Sequence, residues 1–199
     1  MRKPHFIFIG VLLLIAISSC VSSLYPISEN KNDFVFKEEL LGVWGERDGG
    51  TRYIVQKAGI KNYNITVIDK IEPGSKKNDT SYFLGTLARL NNQYFLDCIV
   101  DIENPQFRHV GDNTRSAILP LHLIYKIRSI EKNQLNIAAM NIDSLKKIIA
   151  GNENYIRHEK LDKDNILLTA RPGEVQKKIL LSKMTGFIFS ESSLLTRIK

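Results

Sequence analysis

The segment Tyr63-Asn64-Ile65-Thr66-Val67-Ile68 decides the fold class, because Tyr63, Ile65 and Val67 are separated by polar residues. A period of two is typical of a β-strand with one buried face. Tyr53-Ile54-Val55-Gln56 is a second strand-like segment. Residues 58–62 between them include Gly59, which can adopt the left-handed conformation of a turn. The two segments therefore predict an antiparallel hairpin.

Further strand-like segments extend this pattern. Residues 82–90 and 94–100 flank Asn91-Asn92, and residues 121–128 and 134–140 flank Lys132-Asn133. Parallel strands would need helical crossovers, and no helical pattern is visible before residue 141. The sequence therefore predicts an α+β fold, mainly an antiparallel β-meander, and leaves open whether it closes into a barrel. In segments 121–128 and 134–140, the residues expected to face the core are Leu121, Leu123, Tyr125, Ile127, Leu135 and Ile137. His122, Lys126 and Arg128 are expected to face outward.

Two helices are predicted in the C-terminal third. Asn141 can cap the first, which has apolar residues on one face and Gly151 near its end. Pro172 precedes the second, and Leu194–Arg197 could add a terminal strand together with residues 187–189. The residues expected to be buried on the two helices are Ile142, Leu145, Ile148 and Ile149, then Val175, Ile179, Leu180 and Met184.

The N-terminus has the pattern of a signal peptide. Arg2 and Lys3 precede an apolar run, residues 6–17, that is shorter than the about 20 residues needed to span a bilayer. Ile17-Ser18-Ser19-Cys20 resembles the lipobox of bacterial lipoproteins, and this resemblance implies cleavage before Cys20 and acylation of that cysteine. The alternatives are an ordinary secretory cleavage and an N-terminus that is apolar by coincidence.

The leader sets the expected organisation of the chain. Residues 1–19 are expected to be the signal peptide, residues 20–33, rich in Ser and Asn, a flexible tether, and residues 34–199 a single β-rich domain. Val21, and not Asp, follows the cysteine. The resemblance to Gram-negative lipoproteins then implies that acylated Cys20 binds the inner leaflet of the outer membrane, with the domain facing the periplasm.

Charge and cysteine content narrow the function classes. The chain has 28 basic and 21 acidic residues, and loss of Arg2 and Lys3 with the leader changes 28 to 26, a net charge of about +5. These residues are spread through the chain without a basic stripe, so nucleic acid is not expected as a partner. Cys98 is the one cysteine besides Cys20, so we expect no intramolecular disulfide and a buried Cys98.

A wider resemblance rests on Gly42-x-Trp44, Tyr63, the Tyr94–Asp97 segment, His122 and the helical segment 143–149. In this order they resemble a group of bacterial lipoproteins of unassigned activity, and the likeness covers most of residues 40–185. Gly42-x-Trp44 also resembles the start of lipocalins. That resemblance implies that Trp44 plugs one end of a barrel and packs on a C-terminal arginine, here Arg197. Fewer than eight clear strands and the helix near residue 142 depart from the lipocalin pattern.

Motifs of common catalytic sites are missing from the sequence. Neither Gly-x-Ser-x-Gly nor His-Glu-x-x-His occurs, and the histidines lack metal-ligand spacing. Asp97, Asp101 and Glu103 share strand parity and could bind a cation together, although exposure at a strand end is the simpler interpretation. We therefore expect no enzymatic activity, no cofactor and no metal.

Two function classes fit the sequence best. A third is a hydrolase of the cell envelope whose catalytic residues come from distant segments of the chain. The first is a noncatalytic envelope lipoprotein that binds or scaffolds another envelope component, with Arg108 and His109 of the long polar loop 103–117 as candidate binding residues. The alternative is a lipocalin-like carrier of a small apolar ligand. A cavity of about 300 Å³ or more would favour the carrier, and a filled core with an exposed apolar patch would favour the scaffold.

Overall fold

A computed structural model of the protein describes residues 20–46, 49–69, 79–105 and 119–198. Residues 1–19 and 106–118 lie outside this description, and with them the predicted leader and both Arg108 and His109. The strands are β1 Cys20–Ser23, β2 Phe34–Val35, β3 Gly42–Glu46, β4 Arg52–Lys57, β5 Asn62–Asp69, β6 Asp79–Leu90, β7 Gln93–Val100, β8 Leu123–Ile130, β9 Gln134–Ala139, β10 His158–Lys160, β11 Asn165–Leu168 and β12 Ser193–Ile198. The helices are α1 Ile142–Gly151, α2 Pro172–Val175, which continues as a π-helical turn Gln176–Leu180, and α3 Thr185–Ile188, with 3₁₀ turns at Lys31–Asp33, Glu38–Leu40 and Glu153–Tyr155.

Eight antiparallel strands close into a barrel. Strands β3 to β9 pair in chain order, including β6 with β7, and β12 pairs with both β9 and β3 to close the ring. The predicted α+β fold with a mainly antiparallel meander is confirmed, and the open question of closure is decided in favour of a barrel. The barrel has eight strands, so the strand count is no departure from the lipocalin pattern; the eighth, β12, contains the terminal strand expected at Leu194–Arg197.

Local turn chemistry explains the two predicted hairpins. Gly59 has φ +133° in the turn between β4 and β5, where Lys57 pairs with Tyr63. Asn91 and Asn92 have φ +45° and +61°, and asparagine tolerates this region better than most residues. A two-residue turn with both φ values positive matches the twist of the flanking strands.

The inner face of the barrel forms one apolar core. It contains the predicted inward residues of β8 and β9, namely Leu123, Tyr125, Ile127, Leu135 and Ile137. Tyr63 and Ile65 of the fold-deciding segment are also in this core, and both are buried. Strand parity therefore predicted the inward face correctly. Leu121 lies before β8, outside this core.

A second core lies on the outer face of the barrel, between β6–β9 and the C-terminal helices. The Asn141 side chain accepts a hydrogen bond from the Ser144 N–H at 2.8 Å, which confirms the predicted cap of α1. Residues 187–189 were expected in a strand, but Phe187 and Ile188 end α3 instead. There, Ile188 and Phe189 are buried in the second core.

Residues 20–33 differ from the expected flexible tether. Strand β1 pairs in parallel with β11, and Val21 and Ile27 are buried in the second core. The Ile27 N–H donates to Asp97 Oδ2 at 2.8 Å, and the Ile27 carbonyl accepts from Gln176 Nε2 at 2.8 Å. The segment is ordered because its two apolar side chains and its backbone groups find partners distant in sequence.

Candidate functional site

Trp44 of β3 and Arg197 of β12 are paired in register and pack against each other. The Trp44 side chain is fully buried, and its indole N–H donates to the Leu40 carbonyl at 2.8 Å. The Arg197 guanidinium carbon lies 4.2 Å from the centroid of the Trp44 ring, within cation–π range. This is the contact that the lipocalin resemblance implied.

Backbone carbonyls hold the Arg197 guanidinium over the indole. It donates to the carbonyls of Leu41 at 2.6 Å, Glu39 at 2.9 Å and Lys132 at 2.8 Å. Gly42 has φ +130°, and a β-carbon at this position would collide with the guanidinium. Gly42 and Trp44 are thus linked through Arg197, because the absence of a side chain at Gly42 leaves room for the guanidinium that packs on the Trp44 ring.

An apolar cavity of about 260 Å³ is lined by Trp44 and other residues of the inner face of the barrel. An engineered cavity of about 150 Å³ is enough to bind benzene, whereas pockets for drug-sized ligands begin near 300 Å³. The cavity is slightly smaller than the about 300 Å³ that was expected to favour a ligand carrier, and its volume suits a ligand somewhat larger than benzene. Apolar residues of the lining include Leu40, Trp44, Val55, Ile65, Val67, Phe83, Leu96, Leu135, Ile137 and Leu195.

Burial raises the pKa of the Tyr53 and Tyr63 phenols and of the Cys98 thiol on the cavity wall. The Tyr63 hydroxyl accepts the Lys37 N–H at 2.7 Å and donates to the Lys37 carbonyl at 3.3 Å. Burial and then the carboxylates of Glu46 and Asp69 raise the pKa of Tyr53 from 10.0 to about 12. Burial also raises the pKa of the Cys98 thiol, so Cys98 stays protonated and is not a nucleophile near neutral pH.

We predict that the barrel loses stability at alkaline pH. Because the folded protein holds the protons of Cys98 and Tyr53 more tightly than the unfolded chain does, their stabilising contribution is complete below about pH 8. It falls as the pH rises through the unfolded values of about 8.5 for Cys and about 10 for Tyr. Thermal melts should show Tm falling steadily from about pH 9 to pH 11.

Variants separate the two groups in that experiment. Cys98→Ala should flatten the decline that begins near about pH 9, and Tyr53→Phe should flatten the decline above about pH 10. A wild-type Tm that is constant across this range would contradict the assignment, as would variants whose pH dependence matches that of the wild type.

Asp97, Asp101 and Glu103 shared strand parity, and exposure at a strand end was the simpler expectation for them; for Asp97 that expectation was wrong. Asp97 is buried on the outer face of the barrel and bonds to the Ile27 N–H and to His122 Nδ1, the latter at 2.8 Å. Asp101 and Glu103 follow the end of β7, and the described residues contain no group of three His, Cys, Asp or Glu side chains able to hold a metal. Asp97 and His122 instead attach the N-terminal segment to the barrel, since Ser23 and His122 also exchange backbone hydrogen bonds.

Sequence reasoning identified the walls of the cavity but not the cavity itself. The sequence predicted that Trp44, Tyr63 and the inward residues of β8 and β9 face the core. Trp44, Tyr63, Tyr125, Leu135 and Ile137 all line the cavity. Cys20 begins β1, while Arg108 and His109 lie outside the described residues. Among the described residues, no helix is long and apolar enough to span a membrane.

Comparisons with protein-family models, with curated proteins and with solved structures find no match to this chain.

Proposed function

We propose that this protein is a noncatalytic lipoprotein of the bacterial cell envelope that binds a small apolar ligand inside its barrel. The positive n-region, the short apolar run and the lipobox-like Ile17–Cys20 support anchoring through acylated Cys20. The location proposed from Val21 is the inner leaflet of the outer membrane, facing the periplasm. The proposal needs no cofactor or metal.

The single observation that carries ligand binding is the cavity of about 260 Å³ in the barrel. Protein interiors are normally packed as densely as organic crystals, so the apolar lining of a partly open cavity of this size lacks the dispersion contacts that a filled core would have. A small apolar molecule would restore those contacts and would leave water at the same time. The chemistry of the walls therefore favours a hydrocarbon-like or aromatic ligand.

Scaffolding of another envelope component is the second candidate, and the surface supports it less. The most exposed large apolar residues of the described chain lie in separate elements, on turns, a helix and a strand end: Ile60, Leu119, Leu161, Phe187 and Ile198. Binding surfaces for proteins are usually contiguous apolar patches. The concentrated apolar surface of this domain is inside the barrel, which favours the carrier.

The test uses the chain from residue 20 onward with the Cys20→Ser substitution, which prevents acylation and keeps the protein soluble. This protein is titrated with benzene, indole and short alkylbenzenes. We expect saturable binding of one molecule per chain, measured by calorimetry and by shifts of the methyl NMR signals of the lining. Val55→Trp places an indole in the cavity and should weaken binding at least about tenfold, a change of about 1.4 kcal/mol.

Ile54→Trp is the matched control, because Ile54 precedes Val55 on β4 and points to the opposite face of the sheet. It should fold and bind like the wild type. The proposal fails if none of the probes binds the wild type, or if Val55→Trp, shown by its melting transition to be folded, binds them equally well.

A further inference from the structure

The small three-stranded sheet places an exposed turn at the same end of the sheet as Cys20. Cys20 pairs with Asn165 of β11, and the Leu161 N–H donates to the Asn165 carbonyl at 3.1 Å. Cys20, Asn165 and Leu161 thus form one row across the end of this sheet, with Asn165 in the middle. Since neighbouring strands lie about 4.8 Å apart, the Cys20 and Leu161 backbones are about 10 Å from each other.

No flexible linker separates Cys20 from the domain. The residue after Cys20, Val21, is 5% exposed and belongs to the second core, and β1 is in register with β11 from its first residue. A group attached to Cys20 is therefore fixed to a defined edge of the protein. A tether of a dozen residues would have allowed the domain to take any orientation.

The turn between β10 and β11, residues 161–164, has the chemistry of a membrane-surface contact. Leu161 is 56% exposed, and Lys160 and Lys163 on either side of it are exposed as well. Asp162 is exposed, accepts from the Asn165 amide and keeps its charge, and Asp164 lies 3.8 Å from Lys146, so the turn carries both signs of charge around Leu161. An exposed apolar side chain whose flanking lysines can each bind a headgroup phosphate suits the boundary between acyl chains and headgroups.

We propose that the β10–β11 turn rests on the lipid bilayer, with Leu161 inserted at the level of the headgroups, so that the domain has one fixed orientation on the membrane. This inference depends on the proposed acylation of Cys20, since the acyl chains hold the adjacent edge of the sheet at the bilayer. In this orientation the three-stranded sheet faces the bilayer and the barrel lies farther from it.

The experiment uses the full lipoprotein, purified in detergent and reconstituted into vesicles of phosphatidylethanolamine and phosphatidylglycerol with brominated acyl chains. Leu161→Trp introduces a fluorophore at the proposed contact, and the wild type supplies the background from buried Trp44. We expect strong loss of the added emission in brominated vesicles and a blue shift relative to detergent. Ile60→Trp, at an exposed position on the β4–β5 turn, is the control and should not be quenched.

Anchoring is measured separately, by intact mass for the acyl chains and by flotation with the vesicles. A protein that is acylated and floats but whose Leu161→Trp emission is not quenched overturns the orientation and leaves the anchor intact. Equal quenching of the Leu161→Trp and Ile60→Trp variants also overturns it, because the domain would then have no preferred face. A protein without acyl chains contradicts the anchor itself.

Discussion

Trp44→Ala should lower the free energy of unfolding by about 3–5 kcal/mol, the usual cost of removing a large buried aromatic side chain. The indole is fully buried in the inner core of the barrel and donates a hydrogen bond to the Leu40 carbonyl. Its loss would enlarge an existing cavity, so the neighbouring residues have little to collapse onto. Urea denaturation of the soluble Cys20→Ser chain measures the change.

Arg52→Ala is the control for that measurement, since Arg52 is exposed on β4 and its removal should change stability by less than about 0.5 kcal/mol. The contribution of Arg197 is isolated by a double-mutant cycle of Trp44→Phe and Arg197→Lys. It should show coupling of about 0.5–2 kcal/mol, because lysine cannot keep the planar contact with the ring or all three carbonyls. An unfolding free energy for Trp44→Ala equal to that of the wild type would mean that Trp44 is not a core residue.

The hairpins of the barrel are predictable from sequence because their information is local. Alternation in β5 and β8 and the turn residues Gly59 and Asn91-Asn92 each specify a hairpin within a few residues. Closure is not local. Strand β12 pairs with β3 across about 150 residues, and neither alternation nor turn residues state which strands meet at such a separation. The resemblance of Gly42-x-Trp44 to lipocalins was the one sequence feature that placed Arg197 next to Trp44.

The segment 20–33 was mispredicted for a related reason. Its Ser and Asn content matches that of a linker, and only two of its apolar residues, Val21 and Ile27, enter the core. The groups that order it, Asp97 and Gln176, are 70 and 149 residues away from Ile27. Composition reports the local preference of a segment, and here distant hydrogen bonds overrule it.

The cavity could not be predicted from the sequence, because its volume is a small difference between the volume enclosed by the barrel and the volume of the side chains that fill it. The inward residues can be listed from strand parity, but the space that they leave depends on the shear and tilt of the closed barrel. Gly85 illustrates this: a β-carbon there would lie 2.7 Å from an Ile65 methyl carbon, so one wall of the barrel is tightly packed while a void remains elsewhere.

Cys20→Ser should move the protein from the membrane fraction to the soluble fraction and abolish labelling with a radioactive fatty acid. Each buried methylene contributes about 0.8 kcal/mol, so two or three acyl chains hold a domain at a bilayer almost irreversibly, and their loss is an all-or-none effect. Cys98→Ala is the matched control, because Cys98 is the other cysteine of the mature chain and is buried inside the barrel. It should remain labelled and membrane-bound. Wild-type protein whose intact mass shows no acyl increment would favour the ordinary secretory cleavage, and the domain would then be a soluble carrier with the same cavity but no fixed membrane face.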